Sequence, residues 1–132
     1  MIHATLTQDA EGRYVAYEAK GHAGYDADGR DIVCAAVSIL GVTCVNSLEK
    51  LAGIVIHPAA NEEGHLSFCL PDQLSKESAA KAQVLLGSLE VGLQAVAEQY
   101  PKYLSLTTRK CHSGDPSPDK ASNHTETRRK KK

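Results

Sequence analysis

The feature that most constrains the fold is a long apolar segment at residues 31–51. Its apolar side chains point in several directions around a helix instead of forming one stripe, which is typical of a helix that is covered on most sides. These residues are Ile32, Val33, Ala35, Ala36, Val37, Ile39, Leu40, Val42, Val45, Leu48 and Leu51. Asp31 is a favourable N-cap residue, and Gly53 can end the helix. Such a helix needs other elements of structure to pack against it.

The segments beside this helix alternate between apolar and polar residues, a pattern that predicts β-strands. Residues 2–7 and 15–19 are joined by a short polar turn and predict a β-hairpin. Residues 54–56 and 66–70 predict a second hairpin around residues 58–64.

A second helix is predicted to start at Ser75 and to end before Pro101, because apolar residues recur at the helical period between them. Residues 103–108 predict one last short strand. The predicted order is ββαββα(β). The sequence therefore predicts an α+β fold in which two helices cover an antiparallel sheet built from two β-hairpins.

The chain of 132 residues is long enough for one core, and we assign residues 1–110 to a single domain. Residues 111–132 have no apolar period and predict a disordered polar tail, which ends in five basic residues at 128–132. The body is mildly acidic, with nine Lys and Arg against thirteen Asp and Glu in residues 1–110. Any contact with RNA would therefore come from the tail, and the alternative is that the tail is only a solvated charge run.

No charged leader followed by an apolar stretch opens the sequence, and no run of eighteen apolar residues occurs. We therefore expect a cytoplasmic protein that does not enter a membrane. The four cysteines form no Cys-x-x-Cys pair, and the histidines show no ligand spacing. The aspartates at residues 26, 28 and 31 lack the glutamate that closes a calcium-binding loop. We expect reduced thiols and no metal or other cofactor.

A Gly- and Asp-rich loop separates His22 from Cys34, and the two residues together could form a nucleophile and its base. With Asp31 as N-cap, Cys34 is the third helical residue, where the helix dipole stabilises a thiolate. His22 could accept the thiol proton and return it to a leaving amine, while the free N–H groups of the first turn bind an oxyanion. The alternative is that Cys34 is a small core residue among apolar neighbours. Cys44 is predicted to be such a core residue.

The loop and the start of the helix carry a motif in three parts, which are Gly21-His22-Ala23, Gly29, and residues 31–38 with the sequence DIVCAAVS. This motif closely resembles the signature of the bacterial ribosomal-processing cysteine protease family, Prp. The resemblance covers about residues 1–108, and the tail has no counterpart in the motif. It implies that His22 and Cys34 form a catalytic dyad. It further implies an enzyme, active without a cofactor, that removes the N-terminal extension of a large-subunit ribosomal protein by cutting after an aromatic pair and before a small residue. The same resemblance suggests a homodimer.

Three other residues match the motif and are predicted to support the site. Gly21 fits a place where the backbone passes close to another segment. Asp31 either caps the helix or orients His22, and Ser38 lies one turn beyond Cys34, where it could hydrogen-bond near the site.

Nothing in the pattern of the loop at residues 23–30 offers it a core in which to be buried, and we predict that it is a mobile gate over the dyad. Gly24 and Gly29 would absorb the change in backbone conformation around Tyr25 when a peptide enters.

The main hypothesis from the sequence is thus a cysteine endopeptidase that acts on a ribosomal protein precursor. The alternative is a non-catalytic, ribosome-associated binding module that reaches ribosomal RNA through its tail. A structural assembly factor without a peptide groove is the third possibility.

Overall fold

The computed structural model describes residues 1–21, 30–60 and 65–111, and of Arg30 and Asp31 it describes only the backbone. Predictions for the loop at 22–29 and for the tail at 112–132 lie outside these residues. The elements in chain order are β1 (Ile2–Gln8), β2 (Tyr14–Gly21), α1 (Arg30–Ala52), β3 (Ala59–Ala60), β4 (Leu66–Cys69), α2 (Lys76–Gln99) and β5 (Leu104–Lys110).

The five strands form one sheet in the order β3-β4-β2-β1-β5. The pairs β1–β2, β2–β4 and β3–β4 are antiparallel, whereas β5 lies parallel to β1. The predicted α+β class, with two helices and a final strand, is confirmed. The sheet is mixed and not purely antiparallel, because α2 returns the chain to the end of the sheet at which β1 begins.

The second hairpin differs from the prediction at its first strand. The residues at 54–56 are not a strand, and β3 consists of Ala59–Ala60 alone. The end of α1 explains the difference, since the N–H of Ile54 donates to the carbonyl of Leu48 at 2.9 Å and the Ile54 side chain is buried. Ile54 therefore packs at the end of the helix instead of pairing in the sheet.

The first helical residue of α1 lies two residues earlier than expected. The helix starts at Arg30, so Asp31 belongs to its first turn and is not the N-cap, and Cys34 is the fifth helical residue and not the third. An aspartate in the first turn still stabilises the helix through its dipole.

The prediction that α1 is covered on most sides is wrong. Val33, Val37 and Leu48 are buried, but Ile32 and Ile39 are 59% and 60% exposed. Residues Ile32–Ala52 are long and apolar enough to cross a membrane by composition alone. Their buried face, however, packs on α2 and on the sheet, as in the core helix of many folds.

The second helix agrees with its prediction at both ends. Ser75 is the N-cap, and its hydroxyl accepts the N–H of Ser78 at 3.1 Å. The helix ends at Gln99, just before Tyr100 and Pro101. Its buried residues Ala82, Leu86, Leu89 and Leu93 form part of the core.

The core lies between one face of the sheet and the two helices. β1 contributes Ile2, Ala4 and Leu6, which are fully buried, and β2 contributes Tyr17 and Ala19. Cys44 is buried in this core as predicted, and burial raises the pKa of its thiol to about 11. Cys69 follows the core residue Phe68 on β4 and therefore lies on the other face of the sheet, as its alternation predicts.

Candidate active site

One end of the sheet collects the ends of three strands, and we call it the Gly21 end. Ile2 at the start of β1 pairs with Gly21 at the end of β2 and with Leu104 at the start of β5. The N–H of Ile2 also donates to the carbonyl of Tyr103 at 2.9 Å. His22 follows Gly21 directly in sequence, so this end of the sheet is where the predicted base leaves β2.

The two helices run antiparallel and bring the first turns of α1 to the Gly21 end. At the opposite end the hydroxyl of Ser78 donates to the carbonyl of Ala52 at 2.8 Å, which joins the beginning of α2 to the end of α1. Half-way along, the helices are so close that a Cβ atom at Gly92 would lie 2.8 Å from Leu40. Cys34, near the start of α1, therefore lies at the same end of the molecule as Gly21.

Cys34 occupies the second turn of α1 and is half-buried against the core. Although it lies two residues later than predicted, Cα–Cβ bonds in a helix tilt toward the N-terminus, so the thiol leans toward the first turn. The N–H groups of that turn lack intrahelical partners and favour a negative charge. A half-buried thiol in this position can be reached by a substrate, which a fully buried core cysteine cannot.

Gly21 makes the close backbone contact that the sequence predicts. Its φ is +101°, and a Cβ atom there would overlap the carbonyl oxygen of Met1 and lie 3.4 Å from the carbonyl carbon. Only glycine combines this backbone conformation with such a close approach. The residue before His22 is thus held against β1.

The other predicted site residues fall into two groups. Ser38 is half-buried on α1, four residues after Cys34 and on the same side of the helix. The side chain of Asp31 is not among the parts of the chain that the structure describes. His22 and the predicted gate residues Gly24, Tyr25 and Gly29 also lie outside the described residues, so their placement stays a prediction.

Two tyrosines at the Gly21 end were not among the predicted site residues. Tyr100 and Tyr103 follow α2 and are half-buried, with their ring centroids 6.5 Å apart and their ring planes at 32°. The signal in the sequence is a pair of aromatic residues on either side of Pro101 and Lys102, where a helix must stop. The position of this pair at the Gly21 end could be known only from the topology.

Among residues 1–21, 30–60 and 65–111, no group of three or more His, Cys, Asp or Glu is arranged to hold a metal ion. The four cysteines all lie among the described residues, and none of them is in a disulfide bond. The expectation that the chemistry needs no metal stays a prediction.

Comparison with known proteins identifies the family. A family model described as cysteine protease Prp matches residues 1–105. The chain belongs to the cysteine protease Prp family. The ribosomal processing cysteine protease Prp of Bacillus subtilis (strain 168) is 31% identical over 109 residues, which cover 82% of this chain and 97% of the relative.

Solved structures of similar chains support the family and the fold. SMU.848 from Streptococcus mutans is 32% identical with a TM-score of 0.72, and the match covers 84% of this chain and 96% of that one. The essential ribosomal processing protease Prp from S. aureus, in complex with a covalently linked product peptide, is 28% identical. Its TM-score is 0.68, with 82% of this chain and 99% of that one covered. As a member of the Prp family, the chain is a cysteine protease, a hydrolase of peptide bonds.

Proposed function

We propose that this Prp family member removes the N-terminal extension of a large-subunit ribosomal protein, with Cys34 as nucleophile and His22 as general base and acid. The observation that carries the proposal is the half-buried thiol of Cys34 at the start of α1, in a chain whose family match spans residues 1–105. The relatives named as ribosomal processing proteases, one of them in complex with a product peptide, support the same substrate class.

The other three cysteines are poor candidates for the nucleophile. Cys44 is 5% exposed, and burial raises its thiol pKa to about 11, so it is neither reachable nor ionised at neutral pH. Cys69 is the last residue of strand β4, where it pairs with Ala16, and is not part of the first turns of a helix. The N–H of Cys111 donates to the carbonyl of Gln8, which places this residue at the end of the sheet opposite Gly21.

The proposed reaction proceeds in two halves. His22 takes the proton of the Cys34 thiol, and the thiolate attacks the carbonyl carbon of the scissile peptide bond. The oxyanion that forms is stabilised by free N–H groups in the first turn of α1. His22 then gives its proton to the leaving amine as the C–N bond breaks and a thioester remains. Water, deprotonated by His22, hydrolyses the thioester and restores the thiol.

Incubation with the ribosomal protein precursor, read by mass spectrometry, tests this function. The wild-type protein should yield one defined N-terminal truncation. Cys34→Ala and His22→Ala should abolish it without unfolding the protein, since neither change removes a fully buried side chain of the described core. Cys69→Ala and Cys111→Ala are matched controls, because both cysteines are half-buried like Cys34. Cleavage by Cys34→Ala at the wild-type rate would show that another group is the nucleophile.

Alkylation with iodoacetamide gives a measurement that does not need the substrate. Because the Cys34 thiol is half-buried and His22 is proposed to take its proton, Cys34 should be labelled faster than Cys69 or Cys111 at neutral pH. His22→Ala should slow the labelling of Cys34 toward the rate of the two other thiols.

We further propose that the protein is a cytoplasmic homodimer. The exposed side of α1 carries Ile32, Ile39 and Val42, and that of α2 carries Val84 and Val91, at the heptad-like spacings typical of helices that pack on a partner. Sedimentation should give a dimer mass for the wild type and a monomer mass for Ile39→Glu. A wild-type monomer at micromolar concentration would contradict the proposal.

The proposed roles of the tail and of the gate can be tested separately. Deletion of residues 112–132 should leave cleavage of a short peptide unchanged. If the tail contacts ribosomal RNA, the deletion should weaken binding to ribosomal particles, and the binding of the intact protein should fall steeply with added salt.

For the gate, replacement of Gly24 and Gly29 by proline should lower turnover more than stability. Hydrogen exchange across residues 23–30 should slow when an uncleaved peptide binds.

A further inference from the structure

Two contacts of α1 show on which side of the helix Cys34 lies. On one side, Leu40 faces α2, since a Cβ atom at Gly92 would lie 2.8 Å from the Cδ2 atom of Leu40. On the next side around the helix, a Cβ atom at Gly41 would lie 3.7 Å from the Cδ1 atom of Leu66 in β4. Cys34 precedes Gly41 by about two turns, so these two residues share one side of the helix. The thiol therefore lies on the β4 side of α1, away from α2.

On this side the sheet extends beyond β4 to the edge strand β3. Leu66 faces α1 and pairs with Ala60 of β3, and directly paired residues have their side chains on the same face of a sheet. Ala60 therefore lies on the helix side of the sheet, and yet it is exposed. In the part of the chain that the structure describes, α1 thus leaves the helix side of the sheet open at β3.

The open space beside α1 is a groove, which we call the β3 groove. Its wall is the side of α1 that carries the half-buried Cys34 and Ser38, and its floor is Leu66 with Ala60. Because Leu66 lies level with Gly41, the floor is about 10 Å from Cys34 along the helix. An extended peptide covers that distance with about three residues. A substrate whose scissile carbonyl carbon is at Cys34 therefore reaches the floor with a side chain about three residues from the cut bond.

We propose that the β3 groove binds an apolar side chain of the substrate peptide, about three residues from the scissile bond. The floor offers a leucine side chain and a methyl group, so an apolar side chain that enters removes apolar surface from water. A charged side chain would lose hydration there without gaining a partner on the floor. The small side chain of Ala60 leaves the room that the ligand occupies. This inference rests on the proposed function and adds residues that select the substrate away from the cut bond.

Leucine at residue 60 fills the groove and gives the test. Ala60→Leu should raise KM about tenfold for blocked peptides that extend four residues to each side of the cut bond, and change kcat less than twofold. Ala59→Leu is the matched control, because Ala59 is equally classed as exposed on the same strand but its side chain lies on the opposite face of the sheet. It should leave both constants unchanged. Both variants should unfold at the wild-type temperature, since neither substitution fills a buried position.

Shortened peptides show which part of the substrate enters the groove. Peptides cut back to two residues on one side of the scissile bond, first N-terminal and then C-terminal, should be compared in the wild type and in Ala60→Leu. One of the two shortened peptides should bind equally well to both proteins, because it no longer reaches Ala60. A KM that Ala60→Leu leaves unchanged for long peptides, or that Ala59→Leu raises as much, would refute the groove.

Calorimetric titration of long peptides into the Cys34→Ala protein separates this inference from the proposed function. If the wild type cleaves no peptide, but Cys34→Ala binds the long peptides and the added Ala60→Leu weakens that binding about tenfold, the groove stands and the proteolytic assignment of Cys34 fails. If the peptides are cleaved and Ala60→Leu changes neither binding nor cleavage, the proposed function stands and the groove is refuted.

Discussion

Replacement of Gly21 by alanine gives a sharp test of how the fold holds its site. The φ of +101° lies in a region that L-residues rarely adopt, and occupying it costs about 1–2 kcal/mol. In addition, the new Cβ would lie closer than 3.0 Å to the carbonyl oxygen of Met1, which is a backbone atom and cannot rotate away. The end of β2 or the start of β1 must then shift by roughly 0.5–1 Å. We expect a total loss of about 2–4 kcal/mol in the free energy of unfolding.

The catalytic activity of Gly21→Ala should fall by more than its loss of stability explains. The displaced residue is bonded to His22, the proposed base, and a misplacement of about 1 Å in a catalytic group costs on the order of a hundredfold in rate. Gly21→Ala should therefore lower kcat about a hundredfold at a temperature at which the variant is fully folded.

Gly53→Ala is the matched control for this prediction. Gly53 also has a positive φ, +70°, but no atom lies within 4 Å of the position of its Cβ. The substitution Gly53→Ala should lower the free energy of unfolding only by the backbone strain, about 1 kcal/mol, and should leave kcat unchanged. Urea unfolding measures the loss of stability, and single-turnover cleavage of the precursor measures the loss of catalytic rate. Equal effects of the two substitutions on stability and on kcat would refute the argument that the contact with Met1 positions the site.

Three further predictions concern stability. Tyr17→Phe should raise the free energy of unfolding, measured in urea, by about 1 kcal/mol, since the buried Tyr17 hydroxyl has no hydrogen-bond partner among the described residues. Because the pKa of Cys44 is raised from 9.0 to about 11, stability should be full below pH 9 and fall by about 2 kcal/mol as the pH rises to 11. Cys44→Ala should reduce the slope of unfolding free energy against pH in that window. Ser75→Ala removes the N-cap of α2 and should lower the free energy of unfolding by about 1 kcal/mol, measured by thermal unfolding.

Local signals were enough to predict most of the fold. The structure confirms the alternation in β1 and β2, the start of α2 after Ser75 and its end before Pro101. All of these signals depend only on neighbours in sequence. The strand predicted at residues 54–56 failed for a different reason. An apolar run of three residues fits a strand or a helix end equally well, and the backbone hydrogen bond from Ile54 to the carbonyl of Leu48 at the end of α1 decided between them.

The candidate site was predictable in its residue types and less so in its surroundings. Cys34 stood out because it lies at a helix start in a family motif, and that position needs only local information. Exposure of Ile32 and Ile39 could not be predicted, because hydrophobicity alone does not tell whether a helix face meets the sheet or solvent.

The parallel pairing of β1 with β5 has a consequence for the order of folding. Ile2 and Leu104 are neighbours in the sheet although about a hundred residues separate them in the chain. Contacts over such a separation form late, because a long loop must close before they stabilise anything. During synthesis, β1 is exposed to solvent on the side of β5 until the C-terminal strand has left the ribosome. The Gly21 end of the sheet, at which the start of α1 with Cys34 lies, is therefore completed among the last events of synthesis. A nascent chain shorter than about 104 residues should have no proteolytic activity.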